Sequence, residues 1–144
     1  MPCPFFLPTE KFEAITLPHR SRLPLGDGWL GRCTAPGHEG FIPNEQELAD
    51  TCNLGYALQC PRLPKDRTWD AIRFGVARDG GQAVSLTYVC EAGHRPVEHG
   101  TLEYDGSRWT VSHCDARLQR MAECYLETYL SRRNQPSAES NRQI

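Results

Sequence analysis

No two cysteines in this chain stand two to four positions apart, lysine occurs only twice, and no apolar run approaches the length of a membrane span. Each absence excludes something. Tight cysteine pairs build zinc knuckles, so their lack argues against an ordinary zinc finger or ribbon. The 16 lysines and arginines are balanced by 18 aspartates and glutamates, spread over both halves. No basic face therefore points to nucleic acid, and no polybasic run points to a membrane surface. Fourteen arginines against two lysines carry no functional weight. The opening residues have no basic stretch, and Phe5-Phe6-Leu7 is too short for a signal-peptide core. A cytoplasmic protein is the expectation. A nucleophile elbow, a phosphate loop, a zinc-protease helix and an evident acid/base pair are also missing, so a non-enzymatic role is expected.

What is present divides into two unequal halves. With 144 residues and 39% hydrophobic content, the chain can bury a real core. Ile72, Phe74 and Val76 alternate with Arg73, Gly75 and Ala77, the period of a strand with one buried face. Asp79-Gly80-Gly81 is turn chemistry, and Val84, Leu86, Tyr88 and Cys90 continue a second strand. A loop at 91–96 leads to a third strand near 97–104. Asp105-Gly106 is the strongest hairpin signal and feeds a fourth strand, 108–113, with Trp109, Val111 and His113 on one face. Asp115 then caps a helix whose stripe is Leu118, Met121, Tyr125 and Tyr129, closed by Arg132-Arg133. Residues 135–144 read as a polar tail.

Residues 1–68 are rich in proline and glycine and poor in apolar periodicity. Their one convincing element starts at Pro43-Asn44, where Asn44 and Glu47 form a capping box. Leu48 and Cys52 share a face, and Gly55 can end the helix. The expected fold class is α+β. It comprises a four-stranded antiparallel meander with a C-terminal helix (69–134), preceded by a loop-rich, cysteine-containing half (1–68) with one short helix. The boundary falls near Arg67-Thr68, and the halves are expected to form one unit.

Four of the seven cysteines, Cys3, Cys33, Cys52 and Cys60, fall in this first half. An odd count in a reducing compartment argues against a disulfide framework. A segment with little apolar core needs another source of order, and four thiols on one centre would supply it. Their separations of 30, 19 and 8 positions suit a centre that takes one thiolate from each of four backbone segments. An iron–sulfur cluster of the [4Fe–4S] type meets that description better than zinc. Cys3 and Cys60 are each followed by proline, a dipeptide that also ends the bacterial ferredoxin run, although the ferredoxin spacing is absent. His38, five residues after Cys33, is the alternative ligand in place of Cys3 and would suit zinc.

The expected function is therefore a small metal-binding protein used for electron transfer or redox sensing, with a protein redox partner. A zinc-stabilised structural or interaction module is the alternative. A second group of ligand types, Cys90, His94, His99, His113 and Cys114, would need the 91–96 loop to fold back. Cys124 reads as core. A thiol enzyme built on Cys33 with His38, or Cys90 with His94, has little behind it. Gly26-Asp27-Gly28-Trp29-Leu30-Gly31 matches the dinucleotide fingerprint as a string, but Pro18, Pro24 and Pro36 deny it the flanking strand and helix.

Overall fold

The computed structural model describes residues 2–12, 23–53 and 60–134. Gly55 and residues 135–144, which carried the helix-end and tail expectations, lie outside them. The alternating segments of the second half form a four-stranded antiparallel sheet in the order β3 (Ala71–Asp79), β4 (Val84–Ala92), β5 (Arg95–Tyr104) and β6 (Trp109–Val111). Helix α2 (Ala116–Arg133) follows, with the Asp115 carboxylate accepting from the Arg117 and Leu118 amides. The fold class is α+β.

The meander departs from expectation at two points. The 91–96 loop is strand almost throughout, because β4 and β5 are joined by a two-residue turn, Gly93-His94. Both residues have positive φ, 58° and 62°, the backbone of a primed hairpin turn whose twist matches the strands it joins. At the other end β6 stops at Val111, which is 47% exposed. Val111 therefore does not face the helix. Trp109 instead packs against Tyr104 with ring centroids 5.4 Å apart.

The larger correction concerns the first half. Residues read as loop form a second, two-stranded sheet of β1 (Phe6–Lys11) and β2 (Trp29–Cys33), paired from Phe6↔Cys33 to Lys11↔Trp29. Phe6, Leu25 and Trp29 are each 1% exposed, and they join one buried cluster with Leu48, Ile72, Leu86, Leu102, Leu118 and Met121. Burying side chains of this size contributes about 1.5–3 kcal/mol each, so the first half is held by a core that it shares with the meander and α2. The fingerprint-like string becomes a turn leading into β2, an antiparallel strand that runs into the 34–44 loop and not directly into a helix.

Helix α2 is covered on two sides, which widens its buried surface beyond the expected stripe. Tyr125 meets Phe74 on the meander at 5.8 Å. On the opposite side Arg120 donates to the Pro8 and Thr9 carbonyl oxygens of β1 at 2.9 and 2.6 Å. Cys124, 1% exposed, is core as expected.

The β1–β2 pairing depends on Gly31. A β-carbon there would stand 2.3 Å from the Leu7 carbonyl oxygen and 2.6 Å from the Phe6 ring. One obstacle is strand backbone and the other a buried ring. Gly31→Ala should therefore cost about 2 kcal/mol through overpacking, seen as a lower urea midpoint at unchanged m-value. An unchanged midpoint would mean the strands do not approach this closely.

Candidate metal centre

Backbone hydrogen bonds tie together the segments that carry Cys3, Cys33 and Cys52, and the Arg62–Glu47 ion pair brings in the fourth, with Cys60. The Cys3 amide donates to the Cys52 carbonyl at 3.1 Å. Thr34, next to Cys33, donates to the Phe5 carbonyl oxygen from both its amide (2.8 Å) and its hydroxyl (2.7 Å). The 34–41 loop closes on Cys33 through Cys33 N–H to Phe41 O (2.8 Å) and Gly40 N–H to Cys33 O (2.9 Å). Beyond Cys60 a turn is closed by the Leu63 amide on the Cys60 carbonyl at 3.0 Å.

The helix bearing Cys52 begins with the expected capping box. Asn44 accepts from the Glu47 amide, and the Glu47 carboxylate accepts from the Asn44 amide. After one α-turn, α1 (Glu45–Glu47), the chain widens into a π-turn at Leu48–Cys52. Its last amide bond, Asn53 N–H to Leu48 O, spans five residues at 3.1 Å. Widened turns of this kind occur often at functional sites.

Asn53 then does what no sequence signal announced. Only 2% exposed, it takes the Trp29 amide on Oδ1 at 3.1 Å. It also donates from Nδ2 to the Trp29 and Leu48 carbonyls at 3.1 and 2.9 Å. One side chain thus clamps the start of β2, which ends at Cys33, to the turn that ends at Cys52.

Cys3, Cys33, Cys52 and Cys60 all line one small apolar cavity of about 20 Å³, together with Phe6, Pro43, Thr51 and Arg62. Cys52 is buried, whereas Cys3, Cys33 and Cys60 are half-buried, so the cavity lies just beneath the surface. All four thiols are free. Among the described residues, no group of three or more His, Cys, Asp or Glu side chains is arranged to hold a single metal ion.

The electrostatics follow from burial. Desolvation pushes the Cys3 thiol from 9.0 up to about 11, against the pull of the Phe5 and Phe6 amides, and the Cys33 and Cys60 thiols push it further up. Burial pushes Cys52 up to about 12; the Thr51 hydroxyl opposes this, and Cys3, Cys60 and Cys33 add to it. Four thiolates so close repel one another, and a cation among them removes that repulsion. Sulfur-directed N–H groups are already present. The Ala35 amide donates to Cys33 Sγ at 3.4 Å, and the Phe5 and Phe6 amides oppose the rise of the Cys3 thiol. Bonds of this kind stabilise a thiolate over a thiol.

Arg62 closes the cavity on one side. Its guanidinium lies 4.1 Å above the Phe41 ring and pairs with the Glu47 carboxylate. That pairing, helped by the charges of Cys60 and Cys33, holds the guanidinium proton more tightly than usual and keeps the Glu47 carboxyl below its ordinary value.

His38 is not part of this cavity; it sits exposed in the turn between Ala35 and Phe41. The second group of ligand types is not assembled either. Both ring nitrogens of His113 are engaged, Nδ1 by the Asp115 amide at 2.9 Å and Nε2 by Glu98 at 2.7 Å, while Tyr88 donates to the same Glu98 oxygen. Cys90 is fully buried in β4, whereas His94, His99 and Cys114 are exposed. Tyr56, adjacent in sequence to the proposed ligands, lies outside the described residues.

Cys90 and Cys124, away from the cavity, give an alkaline signature. Burial pushes both from 9.0 up to about 12. Between those values the folded chain keeps protons that the unfolded chain has lost. Their contribution to stability is full below about pH 9 and is lost as pH rises through 12. Urea midpoints should fall above pH 9, and less so in Cys124→Ala. A midpoint flat to pH 11 would contradict the burial.

Comparison with family models, with curated proteins and with solved structures gives no match. Residues and geometry alone carry the functional argument.

Proposed function

We propose that Cys3, Cys33, Cys52 and Cys60 hold a [4Fe–4S] cluster, used for electron transfer to or from a protein partner or for redox sensing. The observation that carries this is the convergence of all four thiols, from four chain segments, on one apolar cavity. The gap between the thiols admits about one water-sized sphere. A four-iron core is larger still, so loading it requires the wall to part. The wall at 34–43 and 60–63 lies outside the β1–β2 ladder and is held by the Cys33–Phe41 bridge and the Arg62–Glu47 pair.

The surroundings also suit redox use. Three of the four thiols are half-buried, which keeps the centre near enough to the surface to exchange electrons, and solvent exposure helps to set its potential. Phe41 and Ile42, 39% and 71% exposed, adjoin Pro43 of the cavity wall. A partner docking there would approach the cluster closely. Voltammetry on the anaerobically reconstituted protein separates redox use from structural support. A reversible one-electron wave with the fold unchanged is expected. Absence of any wave, or loss of fold on reduction, would leave the centre as a staple.

A further inference from the structure

Among the described residues Arg62 is the one cation on the cavity wall, and one of its donors has no partner among them. Nε is buried and has no hydrogen-bond partner among the described residues, although the same guanidinium bonds to Glu47 and lies over Phe41. A buried N–H left unmade costs about 1–3 kcal/mol, so such a group in a native site calls for an explanation. Here the cavity that Arg62 lines is also lined by the Cys3, Cys33, Cys52 and Cys60 sulfurs. We propose that Arg62 sets the reduction potential of the centre, with Nε–H donating to a metal-bound cysteine sulfur and with Glu47 setting how much of its charge the cluster feels.

The inference rests on the iron–sulfur reading and predicts opposite responses from two partners in one ion pair. Reduction adds negative charge to the cluster. A cation on the wall stabilises that state and raises the potential, and a carboxylate paired with the cation offsets part of the effect. Arg62 is not a ligand, so its removal should leave the metal in place. Arg62→Met should shift the reduction equilibrium about tenfold toward the oxidised cluster, about 59 mV for one electron. Arg62→Lys keeps the charge without a directed Nε–H and should fall between. Glu47→Gln keeps the capping box, which glutamine can close, and should raise the potential.

The test uses the full chain, reconstituted anaerobically with ferrous iron and sulfide. Iron and sulfide content, midpoint potential and urea midpoint are measured for wild type and the three variants. A purely structural Arg62–Glu47 pair would lower the urea midpoint in both Arg62→Met and Glu47→Gln and leave their potentials alike. Opposite shifts of potential at full iron content support the inference. Unchanged potentials, or shifts of one sign, at full iron content overturn it while leaving the cluster reading intact. Wild-type protein that takes up no iron overturns the cluster reading, and this inference falls with it.

Discussion

Replacing Cys52 by serine is expected to abolish metal retention while leaving the fold standing. Cys52 is the buried member of the four, at the end of the π-turn, and its carbonyl receives the Cys3 amide. Serine keeps that backbone bond but offers a hydroxyl that stays protonated where a thiolate is needed. Iron in the reconstituted protein should fall from about four per chain, as a four-iron cluster requires, to near zero. Sequence reasoning alone, which saw no core in residues 1–68, would have the whole segment unfold with its metal. The shared burial of Phe6, Leu25, Trp29 and Leu48 changes that expectation. The metal-free variant should retain the β1–β2 pairing and lose only about 1–2 kcal/mol, as other small core changes do. Cys124→Ser, a buried thiol away from the cavity, should cost a similar amount and keep all its iron. Cys52→Ser with full metal content would refute the ligand assignment.

The largest expected loss of stability is at Asn53. Alanine there would leave the Trp29 amide without its acceptor and the Trp29 carbonyl without its donor, both at a fully buried position. The Leu48 carbonyl would keep only the Asn53 amide. Orphaned buried groups cost about 1–3 kcal/mol each, so Asn53→Ala should lose roughly 3 kcal/mol in urea unfolding. Its effect should not stop at stability. With β2 unclamped from the π-turn, Cys33 and Cys52 lose their fixed separation, and iron uptake should become slower and incomplete. A variant with near-native stability and full iron would show that the clamp is dispensable.

The meander could be read from the sequence because its information is local. Alternation at Ile72–Val76 and the glycine turns at Asp79-Gly80-Gly81 and Asp105-Gly106 each lie within a few residues of what they specify. The Gly93-His94 turn escaped because histidine at positive φ carries no compositional mark. The β1–β2 sheet escaped for a different reason. Its strands pair across the 12–28 segment, one contains Pro8, and neither alternates for long. Such non-local pairing is decided by burial of Phe6 and Trp29 against residues from the other half of the chain, which no window can see.

The candidate centre was legible as residue types and spacing, and the convergence of four thiols could only be a hypothesis at that level. Asn53 illustrates what remained hidden. An asparagine following a short helix suggests at most a cap, whereas here its amide joins two backbone segments 24 positions apart. By sequence alone Arg62 is only a charge two residues after Cys60. Its unpartnered Nε depends on where Phe41 and Glu47 hold the rest of the guanidinium.

Counting iron, acid-labile sulfide and zinc per chain in anaerobically purified protein tests the central claim most directly. About four iron and four sulfide per chain, with a broad visible absorption that is lost in Cys52→Ser, is the predicted result. Colourless protein holding one zinc per chain, or protein binding neither metal with all seven thiols free to alkylation, would contradict it.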